Sequence, residues 1–343
     1  MGISNWNAGI IRPIPVAPAG PYSDGAAPGV WTLDQVAYWT KQGLWPIAGN
    51  SKRGLFVGGE PYSNVIDYVN IATTGNATDF GDLTVQTYSQ GSLGSNTRAL
   101  FGGGFQITPA FVNVIEYATF LTTGNATDFG DLTIARYYLT ALSNSTRGIW
   151  AGGYTSGGYA VGNQNVIDYV TISTLGNATD FGDISVKLYQ PAGCASSTRG
   201  IIGGGINQSS VTVSSIYYIT ISTTGNTTSF GNLLTTQYAA SSCSSSTRGI
   251  FAAGYGPSNV IEYITIATTG NSTDFGDLLT ATYYRSACSS TTRGLIGGGF
   301  VSAARVNVIE YITIESIGNS TDFGDLTVAR DNLSACSNSH GGL

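Results

Sequence analysis

Histidine is almost missing from this chain: His340 is the only one in 343 residues, three positions from the end. One imidazole cannot build a His-based triad or a multi-His metal centre. Charge is scarce too. Asp, Glu, Lys and Arg make up 10% of the residues, against about a quarter in ordinary domains, and the balance is −6. A chain this poor in cations has no basic stripe to neutralise phosphates, which excludes a nucleic-acid surface. No apolar run approaches the ~20 residues needed to span a bilayer, so no membrane insertion is expected. The opening stretch MGISNWNAGIIRPIPVAPAG has no basic segment, and Pro13 and Pro15 cut its apolar part, so no Sec-type leader is expected there. What remains is rich in Gly (47 residues), Ser, Thr and Asn, with 11% aromatics, a mix that suits short strands joined by tight turns and not disorder.

The most informative feature is a repeat. TTGNATDFGDL occupies residues 73–83 and, letter for letter, 122–132, and edited copies stand at 174–184, 223–233, 268–278 and 316–326. An arginine opening an apolar run recurs with it as Arg53, Arg98, Arg147, Arg199, Arg248 and Arg293, at intervals of 45, 49, 52, 49 and 45 residues. A last interval of 48 ends at Gly341, where SNSHGGL replaces SNSTRGI. Each repeat reads as an apolar run closed by a Gly pair, a β-branched stretch with period-two alternation such as NVIEYITIATT, the GNATDFGDL stretch, and a small-residue segment leading to the next arginine. Four short strands per repeat with no helical periodicity predict one propeller blade each, and six blades the ring. Boundaries at 1–49 for an N-terminal anchor and 50–343 for the propeller follow.

The repeat resembles the kelch motif. The double glycines are Gly58–Gly59, Gly103–Gly104, Gly152–Gly153, Gly204–Gly205 and Gly298–Gly299, with Ala253–Gly254 departing in the fifth copy. The tyrosines are Tyr68, Tyr117, Tyr169, Tyr218, Tyr263 and Tyr311, and the later aromatic is Phe (Phe80, Phe129, Phe181, Phe230, Phe275, Phe323) where that family usually has Trp. The resemblance implies an all-β, six-bladed kelch-like propeller. DNLSACSNSHGGL (331–343) matches the first-strand segment of a repeat with nothing after it, so the C-terminal strand is expected to complete blade 1.

The repeated stretch itself reads as scaffold. Asp79, Asp82 and their counterparts are candidate calcium ligands, but the surrounding sequence supplies no dense acidic loop for the six to eight oxygens calcium takes. Turn stabilisation, and pairing of each Asp with a repeat arginine, are the expected roles. The Asn of each NxT is expected to serve its turn. Catalysis is not expected: of twenty acids, ten lie in the DFGD stretches and five are Asp67, Glu116, Asp168, Glu262 and Glu310, which leaves little for a unique catalytic pair. No metal or other cofactor is expected. Cys194, Cys243, Cys288 and Cys336, each five residues before the repeat-arginine position, read as small buried residues and not as bridges, in keeping with a reducing cytoplasm.

Variation is confined to one place. Subtracting the stretch between Gly pair and NVI strand (4, 8, 11, 8, 4 and 7 residues) from each interval leaves 41 every time. Six variable loops should therefore share one face, where repeat proteins bind partners. Their candidate ligand-binding residues are Tyr62, Phe105, Phe111, Tyr154, Tyr159, Asn207, Tyr255 and Phe300, with Arg305 as the sole cation. Aromatic faces among amides and hydroxyls suit a neutral or glycan-like surface; the alternative is that they pack on one another.

The first fifty residues differ in character. Residues 10–29 hold five of the ten prolines and should be extended. TLDQVAYWTKQG (32–43) pairs Thr32 with Gln35 at capping-box spacing and ends in Gly43, predicting one short helix, with Trp31, Trp39 and Trp45 as assembly-anchor candidates. GVWTLDQVAYWTKQGLWP (29–46) and the TTGNATDFGDLT runs resemble segments of virion proteins of tailed phages of the marine cyanophage type. That resemblance implies a virion protein assembled in the host cytoplasm, its arm held by other virion proteins. The leading expectation is a tail-associated adhesin that binds a host surface glycan or protein through the loops. A capsid decoration or head-fibre protein, and an intracellular kelch-type interaction module, are the alternatives. A homo-oligomer is left open.

Overall fold

The computed structural model describes residues 5–6, 9–10, 32–41, 52–108, 110–256 and 258–343. The chain divides into two compact units, Met1–Lys52 and Arg53–Leu343. In the first, two-residue strands Asn5–Trp6 and Gly9–Ile10 pair, and a helix runs Leu33–Lys41. Its capping box is reciprocal: the Thr32 N–H donates to Gln35 Oε1 (2.9 Å) and the Gln35 N–H to Thr32 Oγ1 (3.2 Å). The expected extended arm, Trp31, Trp45 and the Trp39 side chain lie outside the described residues. No helix among the described residues is long and apolar enough to cross a membrane.

The second unit is a six-bladed β-propeller of antiparallel sheets, four-stranded except in blade 3, where the two-residue strand Ile206–Asn207 adds a fifth by pairing with Leu188 and Tyr189. In blade 2, for example, the strands run from the axis outward as Gly91–Gly94, Arg98–Gly102, Val114–Thr119 and Thr127–Asp131. Blade 1 is completed by the end of the chain, as expected: Ser334–Ser337 pairs with Arg53–Val57, setting Cys336 opposite Leu55. The variable loop of blade 3 adds a short helix, Tyr159–Gly162, which the strand-only reading of the repeat did not contain. Ala253 takes the left-handed conformation (φ 57°) of its glycine counterparts, so the departure there is in residue type and not in backbone path.

The repeated stretch proves to be the joint between blades. In the second copy, the Gly124 and Ala126 N–H groups donate to the Phe80 and Asp82 carbonyls of the first (both 2.8 Å), and Asn125 Oδ1 accepts from the Asp82 N–H (3.1 Å). The same Asn bond recurs at Asn177, Asn226, Asn271 and Asn319, and Asn76 closes the circle onto Asp325. The Asn therefore serves the neighbouring blade and not only its own turn. A Cβ on Gly81 would stand 2.4 Å from the Gly124 carbonyl oxygen, so the DFG glycine is required by the next blade's approach. These contacts also cover each outer strand edge.

The repeat arginines do not pair with the DFGD acids, contrary to expectation. Each lies over its own blade's tyrosine, 4.5–5.0 Å from the ring centroid, and donates to a backbone carbonyl of the next blade, as Arg98 does to Ile172 (3.1 Å). The phenylalanine of the joint also meets that tyrosine edge-on. The planar guanidinium satisfies a stacking partner and an orphan carbonyl together, which a carboxylate pair at the rim would not.

Candidate binding face and axial cavity

In every blade the chain enters the inner strand from one face and returns to that face at the end of the second strand. The six variable loops and the six linkers between blades therefore share a face, and the short turns and repeated stretches occupy the other. This is the face on which the sequence placed its binding residues.

Those residues are knitted to linker tyrosines that the sequence reading passed over. Phe105 packs against Tyr88, Phe111 and Tyr137 at ring separations of 5.1–5.6 Å. Tyr154 meets Tyr137, Tyr159 and Tyr189, and Tyr159 also meets Tyr189. Tyr255 stacks on Tyr238 (4.7 Å, 21°) and touches Tyr283 and Tyr284, while Phe300 packs on Tyr283. Tyr62 meets Tyr88 edge-on. Packing half-buries Phe105, Phe111, Tyr154 and Phe300, while Tyr255 keeps 51%, Tyr62 41% and Tyr159 39% of its surface exposed. Backbone bridges such as Tyr137↔Tyr154 and Tyr88↔Phe105 hold each linker tyrosine beside its loop.

Two of the expected binding residues are otherwise engaged. Asn207 Oδ1 accepts from the Ser209 and Val211 N–H groups and so shapes its own loop. Arg305 donates to Asp331 Oδ1 (2.5 Å) and Glu60 Oε2 (2.8 Å), which leaves no net positive charge there. Burial acts to lower the Arg305 pKa, and the bonds and charge of those two carboxylates outweigh it and raise it. Asp331 stands where five other linkers carry tyrosine.

One residue further along each linker, Ser89, Tyr138, Gln190, Ala239, Tyr284 and Asn332 surround the axis, all in the left-handed region (φ 51–59°). Non-glycine residues there cost on the order of 1–3 kcal/mol each and persist only where the surroundings fix them. The fixing is circular. Five of the six N–H groups donate to the carbonyl of the equivalent residue one blade back: Ser89 to Asn332, Tyr138 to Ser89, Gln190 to Tyr138, Ala239 to Gln190 and Asn332 to Tyr284, at 2.8–3.1 Å. This ring opens on a cavity of about 140 Å³. Burial raises the pKa of Tyr284 to about 12, with nearby tyrosines and acids adding to it, and pushes Tyr138 and Tyr189 up as well. All three hydroxyls remain protonated donors at neutral pH.

The far end of the axis is plugged. His340 Nε2 lies 2.9 Å from the Gly94 carbonyl oxygen and 3.2 Å from Ser143 Oγ, the Gly342 N–H donates to His340 Nδ1, and the Gly341 N–H donates to the Ser244 carbonyl. Gly94, Ser143 and Ser244 belong to three different blades, so the segment lies across the axis. Among the described residues no group of three or more His, Cys, Asp and Glu is placed to hold a metal ion. The four cysteines are free and buried, and burial raises the Cys243 thiol to about 12, which leaves it a poor nucleophile. No protein-family model matches the chain, and no curated protein matches it.

Proposed function

We propose that this chain is a phage virion protein whose propeller attaches the particle to a host-surface glycan through its loop face. The observation that carries the attachment reading is asymmetry. Of fourteen exposed large apolar side chains among the described propeller residues, twelve lie on the loop face and two, Leu175 and Ile317, on the other. Exposed apolar and aromatic surface concentrated in this way marks interaction sites. Sugars fit the interior of the face, because aromatic rings and neutral hydroxyls dominate there. The placement in a virion is supported by the wording of residues 29–46 and of the repeats.

One observation favours a protein partner as a second reading. Val85, Ile134, Leu234, Leu279 and Val328 form an exposed aliphatic circle on the linkers of the same face. Binding of the purified protein to host cells before and after periodate or protease treatment separates the two. Loss on periodate supports the glycan, and loss on protease the protein partner. Antibody-gold labelling of virions locates the propeller: label on the tail supports attachment, label over the capsid supports the decoration role, and unlabelled virions overturn both.

A further inference from the structure

We propose that the axial cavity is a saccharide subsite that receives, end-on, the terminal ring of a neutral glycan. The inference rests on the glycan-attachment reading and adds where, and by which end, the glycan is held.

Four observations converge on it. The cavity's lining is polar and neutral around the ring: Ser89, Tyr138, Gln190, Tyr284 and Asn332 carry hydroxyl and amide side chains. Hydroxyls and amides around one small space suit a ligand that both donates and accepts hydrogen bonds, as a hydroxylated ring does.

The second observation is the order around the ring. Three steps of sixty degrees separate Tyr138 from Tyr284, which places them at opposite ends of a diameter. Gln190 and Asn332 end another. Both tyrosines are braced from outside, Tyr138 by Tyr137 and Tyr189, and Tyr284 by Tyr283 and Tyr255. Two opposed aromatic walls with amides between them suit a flat-faced sugar ring.

Third, the space is small and blind. About 140 Å³ holds several waters or one ring, below the ~300–1,000 Å³ of drug-sized sites. The His340 segment blocks the far end, so a polymer cannot thread through and only its end can enter.

Fourth, the charge at the mouth selects. Asp331 and Glu60 outnumber Arg305 there, and Arg285 is already paired with Glu310 at 2.8 Å, which disfavours an acidic sugar.

The test uses the full chain and saturation-transfer NMR with the methyl glycosides of glucose, galactose, mannose, rhamnose and N-acetylglucosamine, with methyl glucuronide as the acidic comparison. Ala239→Tyr fills the cavity with a side chain that the ring already carries at φ 55° and 59° in Tyr138 and Tyr284, so the fold should tolerate it. Gln190→Leu removes one amide from the lining. At least one neutral glycoside should bind, Ala239→Tyr should abolish that binding, and Gln190→Leu should weaken it about tenfold, with unchanged thermal midpoints. Absence of binding by every neutral glycoside, preference for the glucuronide, or undiminished binding by Ala239→Tyr overturns the proposal. Purified host polysaccharide distinguishes the two readings. If wild type and Ala239→Tyr bind it equally, attachment stands and the axial subsite fails; if wild type does not bind it, the glycan-attachment reading fails.

Discussion

Arg330 Nη2 lies 2.7 Å from Asp67 Oδ2 with both side chains fully buried, although 263 residues separate them. The pair sews the last linker of the ring onto its first blade. Arg136–Asp168 does the same for blade 3, and Arg285–Glu310 for blade 6 from a different linker position. Removing one partner strands the other charge away from water. Arg330→Leu should cost about 3–5 kcal/mol in denaturant unfolding, and adding Asp67→Leu should recover part of that loss. A double variant as unstable as the single one would argue that the buried charge is not the source of the cost.

The joint between blades makes its own ranking. Asp131→Asn should change stability by no more than about 0.5 kcal/mol, because blade 4 already carries Ser229 and Asn232 at the paired positions. Asn177→Ala, which deletes the acceptor of the Asp131 N–H, should cost about 1 kcal/mol. Gly130→Ala should be worst, at roughly 3 kcal/mol, since its Cβ would meet the Gly176 carbonyl oxygen at 2.4 Å from a φ of 150°. The thermal midpoint should not move on adding calcium or EDTA; a rise of several degrees with calcium would make the acids ligands after all.

Arg98 tests the cation–ring contact. Arg98→Lys keeps the charge but loses the planar stack on Tyr117, 5.0 Å from its centroid, and should cost about 1–2 kcal/mol. A double-mutant cycle with Tyr117→Leu should return a coupling of about 1 kcal/mol, and a coupling near zero would mean that the carbonyl bond to Ile172 alone holds the arginine.

His340 gives the fold an acid sensitivity. Burial lowers its pKa, against the opposing bond to Gly94, and the Gly342 N–H aimed at Nδ1 requires that nitrogen to be unprotonated. With the folded pKa below the unfolded value of about 6.5, the stability contributed by the neutral ring is present above that value and lost as pH falls through it toward the folded pKa. Glu116, Glu262 and Asp331 are shifted upward by burial and act in the opposite sense, gaining stability on acidification. The comparison must therefore be differential. Between pH 7.5 and 5, wild type should lose more stability than His340→Gln, and equal losses would show that the plug does not sense protons.

Much of this was legible in the sequence because it is periodic. Six arginines, six tyrosines and a terminal strand lacking a partner dictate six blades and their closure, and loop lengths that absorb all the interval variation dictate the variable face. What periodicity hides is convergence at the axis. Tyr138, Gln190 and Tyr284 stand in linkers of constant length whose neighbours look like ordinary inner-strand residues; only ring closure brings them round one cavity. Pairing errors had a related cause. Supply and demand of charge assigns the DFGD acids to the repeat arginines, whereas the geometry gives those arginines to tyrosine faces, and the fully buried ion pairs are made by the third-strand acids Asp67, Asp168 and Glu310 with Arg330, Arg136 and Arg285 from the linkers.

The Asn-to-backbone joint runs head to tail, each copy offering one half of itself to the copy behind and the other half to the copy ahead. Every copy is thus both key and lock for the same wording. The positions that make the contact, the Asn and the close-approaching glycine, are therefore tied to the neighbouring copy, whereas the Asp positions can drift, as Ser229 and Asn232 show in blade 4, and a whole blade can be gained or lost without inventing a new contact. The near-identity of the six stretches is the record of that constraint.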